Sequence, residues 1–268
     1  MIGQRNLLNK IDTMIETFPK FSIIVGAKNS GKKTIAKYIC NKLGLKIIYF
    51  GTGIDEVRKI IELSYEQDKP ICYICEADDM SLGAKNCLLK ITEEPPKNAY
   101  FILTLISLSN TLETIQSRAT VLQLDNYTKD ELIEYRKYRK YGGFFDKNVE
   151  LVCSSTGDVD ELFTYDVPSF CSFAETLAFQ ISIPTTGNIF KASQHLKLID
   201  KDDKHYDSIL MFKTVRNLYI NKAIETKDKK YLLAANITSE CLRDLKIPTV
   251  AKLGTIDKWI MDVRGVLR

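Results

Sequence analysis

The chain has only two histidines, no long apolar run and no low-complexity tract. His195 and His205 have no nearby nucleophile or ligand partner in the sequence, which argues against histidine-based catalysis or a histidine-rich metal centre. No apolar stretch reaches the ~18 residues of a membrane helix. The first 21 residues alternate polar and apolar at helical spacing and lack the apolar core of a signal peptide, so the expected location is the cytoplasm, with no membrane partner. The seven cysteines are scattered and odd in number, which speaks against a disulfide framework. Cys72 and Cys75 are the one close pair. They fall in a predicted strand, where residues three apart face opposite sides and cannot share a metal. No metal site is expected.

Hydrophobic residues at 45% and charged residues at 27% predict a folded protein of two or three small domains. The net charge of +4 is unevenly placed. Residues 191–268 hold 16 Lys and Arg against 10 Asp and Glu, leaving the rest slightly acidic. That balance permits phosphate contact but is equally met by solvated helix faces.

The first 125 residues alternate strand and helix patterns. Apolar runs at FSIIV (21–25), KIIYF (46–50), ICYIC (71–75), AYFILTL (99–105) and TVLQL (120–124) predict five strands. Helical spacing predicts helices over 31–43, 54–67 and 80–93 between them. Such alternation predicts a parallel sheet with helices on both faces. Beyond Asn126 the pattern becomes helical. Thr128 and Glu131 form a capping-box signature, and Gly142 and Gly143 are the expected stop of that helix. Further helices are predicted near 146–154, from about 158, and over 169–181, 188–199, 205–225, 229–245 and 249–267.

Two stretches carry chemistry. In IIVGAKNSGKKT (23–34), Gly26, Gly31 and Lys32 have the spacing of a phosphate-binding loop between a strand and a helix. Glycines there let backbone N–H groups face an anion, and the lysine reaches the outer phosphates. The next position needs a hydroxyl for magnesium and holds Lys33. Thr34 comes one residue late, rotated by about 100°. The second stretch, YICEADDMS (73–81), puts Cys75 where a magnesium-binding Asp is expected, followed by Glu76. A thiol is a poor ligand for a hard cation. Asp78 and Asp79 lie beyond the strand and are expected to cap the next helix. Both motifs therefore lose the same function, holding a metal.

With AKNCLLKITEEPP (84–96) and TIQSRATVLQL (114–124), these stretches resemble the ATPase core of bacterial DNA polymerase III clamp-loader subunits, the gamma/tau and delta-prime proteins. The resemblance covers roughly residues 1–125. It implies an α/β AAA+ P-loop core (1–125), a small helical lid (126–167) and an all-α collar for oligomerisation (168–268). It implies Lys32 as the phosphate lysine, and Glu76, now vestigial, in the water-orienting position. It also implies Arg118 as an arginine finger that reaches into a neighbour's ATP site. Several positions depart from the family pattern. Leu105 and Ile106 replace adjacent sensor threonines, Ala119 replaces a Cys after Arg118, and Asp160 of GDVD (157–160) replaces the lid's sensor Arg. A family zinc module is absent.

The resemblance thus implies a delta-prime-like subunit that hydrolyses nothing itself. Gly26, Gly31, Lys32, Lys33 and Thr34 would form a degenerate loop with weak ATP or anion binding and no magnesium. The implied partners are gamma/tau-like and delta-like subunits, a sliding clamp, and primer-template DNA through the complex. Two alternatives stay open. One is a divergent ATPase subunit using Thr34 with Asp78 or Asp79 as substitute ligands. The other is an interaction protein of another DNA-maintenance assembly.

Overall fold

The computed structural model describes residues 2–143, 145–183, 206–245 and 252–268. His195, His205 and the helix expected over 188–199 lie outside the described residues. The chain divides into two compact units, 1–131 with 155–157, and 132–154 with 158–268.

The first unit opens with helix α1 (Arg5–Met14) and is built on β1 (Phe21–Val25), β2 (Lys46–Tyr49), β3 (Ile71–Glu76), β4 (Ala99–Leu105) and β5 (Thr120–Gln123). The five strands form one parallel sheet in the order β2-β3-β4-β1-β5, with Phe21 beside Phe101 and Ile71 beside Ala99. Between them run α2 (Lys32–Lys42), α3 (Ile54–Tyr65), α4 (Leu82–Glu93) and the short α5 (Glu113–Gln116). The period of two sends alternate residues to opposite layers. Ile23, Tyr73, Cys75, Phe101 and Leu103 pack with Val57 of α3 and with Leu88 and Ile91 of α4. Ile24, Cys72, Ile74 and Ile102 pack with Leu7 and Ile11 of α1 and with Ile35 and Ile39 of α2. Cys72 and Cys75 accordingly lie in different layers. Burial on both faces explains why the strands read as unbroken apolar runs.

The described residues of the second unit are helical: α6 (Lys129–Tyr138), which begins in the first unit, α7 (Asp146–Val152), α8 (Thr156–Leu162), whose first turn also belongs to the first unit, α9 (Val167–Ser182), α10 (Ser208–Thr226), α11 (Lys229–Asp244) and α12 (Lys252–Leu267). The capping box forms as read: Thr128 N donates to Glu131 Oε2 at 2.9 Å, and Glu131 N donates to Thr128 Oγ1 at 3.2 Å. The helix stop differs. α6 ends at Tyr138, before Gly142 and Gly143, and Lys140 takes a left-handed φ of 57°. The buried Arg136 guanidinium accounts for this by gathering the carbonyls of Tyr141 (3.1 Å) and Gly143 (2.6 Å) beneath the helix. Asp166, Asp207 and Asp228 cap α9, α10 and α11 through bonds from Ser169 N, Leu210 N and Lys230 N. Trp259 of α12 packs edge-on against Phe212 of α10, and its Nε1 donates to Thr238 Oγ1 of α11 at 2.9 Å. No described helix is long and apolar enough to cross a membrane.

Candidate functional site

The carboxyl ends of β1, β3 and β4 converge, as they do at ligand sites of parallel sheets. Gly26 N leaves β1 by donating to Leu105 O at the end of β4 (3.1 Å). A Cβ at Gly26 would sit 2.8 Å from Ser30 Oγ and 3.0 Å from Leu124 Cβ, so the loop closes tightly only with glycine there. Gly31 adopts φ 90°, the left-handed entry to α2 that glycine allows at no steric cost. The Lys32 ammonium folds back, donating to Gly26 O and Ala27 O, each at 2.8 Å. Burial pushes its pKa below the ordinary lysine value, while the charges of Asp78 and Glu76 pull it back up. Its charge is spent on the loop's own carbonyls. Thr34 N and Ile35 N both donate to Gly31 O, which closes the first turn of α2.

The chain's own residues also cover this loop. Tyr127 donates its hydroxyl to Ser30 O at 3.1 Å. Gly157 N donates to Asn29 O at 3.1 Å, and a Cβ at Gly157 would come within 2.3 Å of Asn29 Cβ. Gln4 fastens the N-terminal segment beside them: its Nε2 donates to Asp125 O (2.7 Å) and its Oε1 accepts from Asp125 N (2.9 Å).

Beside the loop an ammonium and a carboxylate meet. Lys33 forms an ion pair with Glu76 at the end of β3. Cys75 is 1% exposed, and burial, with the nearby charges of Glu56 and Glu76, pushes its thiol up to about 12. It stays protonated and is no ligand for magnesium. Asp78 accepts from Ile106 N (2.7 Å) and Asn110 Nδ2 (2.8 Å), tying the end of β3 to the loop after β4. This corrects the expectation that Asp78 or Asp79 caps α4: the cap is Ser81, which accepts from Ala84 N. With Lys33 where a hydroxyl is expected and a buried, protonated Cys75 where a carboxylate is expected, these two positions do not fit magnesium.

Arg118 stands in the turn between α5 and β5, with its side chain 38% exposed. Its Nη1 donates to Thr114 O at 2.8 Å, and its Nη2 lies 2.8 Å from Glu93 Oε1 at the end of α4. In the second unit, Asp160 is held by the Tyr135 and Tyr141 hydroxyls (2.9 and 2.8 Å) and paired with Arg139 Nε at 3.1 Å.

The structure thus brings Gly26, Gly31, Lys32, Lys33, Thr34 and Glu76 to one end of the sheet, with Arg118 in a separate turn of the same unit. The sequence reading missed Tyr127, Glu93 and the bonds of Asp78. Of these, only Tyr127 left a signal, an aromatic just past the last strand. Lys32→Ala should cost roughly 1–2 kcal/mol by leaving two loop carbonyls without a charged donor. A lower urea midpoint by circular dichroism checks this, and an unchanged midpoint would contradict it.

The parallel sheet with helices on both faces, followed by a helical unit, is the fold class the sequence predicts. Its likeness to a DNA polymerase III gamma subunit-related protein of Thermotoga maritima has a TM-score of 0.57 at 16% identity, covering 98% of this chain and 100% of that one, and shows the fold. Residues 52–128 match the family described as DNA polymerase III, delta subunit. Over 89 residues (32% of this chain) the sequence is 34% identical to DNA polymerase III subunit delta' of Haemophilus influenzae. Over 109 residues (38%) it is 28% identical to the gamma subunit of Buchnera aphidicola. The matched stretches of the chain are therefore similar to the delta, delta' and gamma subunits of DNA polymerase III. It spans 27% and 30% of the length of those two relatives.

Proposed function

We propose that the chain is a delta-prime-like clamp-loader subunit that hydrolyses no ATP itself and lends Arg118 to a neighbouring subunit's ATP site. The observation that supports this reading is the Lys33–Glu76 ion pair, which sets the protein's own charges beside the loop, at the two positions next to those where the resemblance expects metal ligands. The loop's residual chemistry is weak anion binding without magnesium. Arg118, by contrast, is solvent-accessible. Residues 126–167 serve as a lid and 168–268 as the collar that joins subunits in the cytoplasm. The partners are gamma/tau-like and delta-like subunits, with the sliding clamp and primer-template DNA engaged through the complex. In the rival reading Thr34 with Asp78 or Asp79 replaces the lost magnesium ligands; the two hydrogen bonds to Asp78 Oδ1 tie that carboxylate to the loop after β4 and weigh against its turning to a metal.

Titrating the purified chain with ATP, with and without magnesium chloride, tests the reading. No magnesium-dependent binding is expected. Micromolar magnesium-dependent affinity that disappears in Lys32→Ala would overturn it in favour of a divergent ATPase. Co-purification with a gamma-like subunit distinguishes it from a role in another assembly.

A further inference from the structure

Glu93 ends α4, where the chain turns into Glu94, Pro95 and Pro96. Its carboxylate and the Thr114 carbonyl hold the two terminal nitrogens of Arg118, each at 2.8 Å. A segment 25 positions earlier in the sequence thus decides where this guanidinium rests. The Glu93 side chain is 56% exposed and that of Arg118 38%, so a phosphate could approach both. A guanidinium presents the same planar fork of donors to carboxylate and phosphate. An incoming phosphoryl oxygen therefore competes with Glu93 for the Nη2 edge. While the pair is closed, the carboxylate also offsets the charge that the arginine would offer.

Resting on the reading of Arg118 as a trans-acting residue, we propose that Glu93 is a positioning residue that parks Arg118 against its own subunit until a neighbour's triphosphate displaces the carboxylate. Exposed ion pairs are weak, so the parked state is readily undone. A triphosphate carries several negative charges against one on Glu93, which sets the direction of the exchange.

The test is Glu93→Gln in the hetero-oligomer reconstituted with its gamma-like ATPase subunit. The substitution keeps side-chain size at an exposed helix end, so folding is spared. KM for ATP at the site facing Arg118 should fall about two- to fivefold, or about 0.4–1 kcal/mol at 1.4 kcal/mol per decade. The effect should fall on KM rather than kcat, and should vanish in an Arg118→Ala background. An unchanged KM overturns the parking role, as does a shift that survives Arg118→Ala. A drop in kcat also overturns it, since Glu93 would then be aiming the arginine rather than restraining it. If Arg118→Ala alone leaves hydrolysis unchanged, the trans reading fails and parking falls with it. If Arg118→Ala impairs hydrolysis while Glu93→Gln is silent, only parking fails.

Discussion

On the proposed reading, Arg118→Ala slows ATP hydrolysis at the neighbouring site by about 10³-fold, the lower end of the range for arginine fingers, with the complex still assembled. The expectation follows from what the side chain does at home. Its contacts there are one carboxylate and one carbonyl at an exposed turn. Such contacts contribute little to stability, so the substitution should leave the fold intact. Charge developing on a transferred phosphoryl is stabilised by a donor already in place, and a methyl group supplies none. Arg118→Lys should recover only part of the rate, because a single ammonium cannot reproduce the two-pronged geometry. Single-turnover hydrolysis in the reconstituted complex measures both. A wild-type rate in Arg118→Ala would leave Arg118 as a structural ion pair.

Asp158→Ala should be the most destabilising of the substitutions considered, at about 3–5 kcal/mol. Asp158 accepts from Ser154 N (2.9 Å) and Ser154 Oγ (2.8 Å), and Lys213 Nζ lies 2.9 Å from each of its carboxylate oxygens. The side chains are 6% and 18% exposed, so removing the carboxylate strands a nearly buried ammonium and an amide. Ser154 precedes α8 and Lys213 lies on α10, so the pair staples distant segments of the second unit. Trp259, the only tryptophan of the chain, is 1% exposed in that same unit. Its fluorescence during urea unfolding therefore reports the loss directly. Adding Lys213→Met should restore part of it by removing the stranded charge. An Asp158→Ala transition at the wild-type urea concentration would show the pair to be dispensable.

What the sequence disclosed, and what it hid, divides by the range of the interactions. The strands were legible because both faces of the sheet are buried, which leaves runs such as ICYIC with no polar break. The Thr128–Glu131 box was legible because its partners are three residues apart. The helix cap after β3 was misread. Asp78, Asp79 and Ser81 are all good caps by type, and the choice is made by Ile106 N and Asn110, which occupy Asp78 from 28 and 32 residues away. Glu93 was passed over for the same reason, since its partner lies beyond β4. Lys33 and Glu76 were each noticed singly. Only the folded sheet, bringing the start of α2 to the end of β3, joined them into a pair. The helical region offered boundaries but few landmarks, because its specificity rests on long-range contacts such as that of Trp259 with Thr238.

The lysine folded onto Gly26 O and Ala27 O has a consequence for linkage. A ligand stabilises a protein only to the extent that it binds the native state more tightly than the unfolded one. A lysine already bonded to its own loop's carbonyls must give up those bonds to hold a phosphate, so the loop gains little from a nucleotide. On the proposed reading, this subunit's population of folded molecules would be the same in an energy-rich cell and a starved one. The ring would then contain one member whose shape carries no information about the ATP supply, against which the shapes of its neighbours can change.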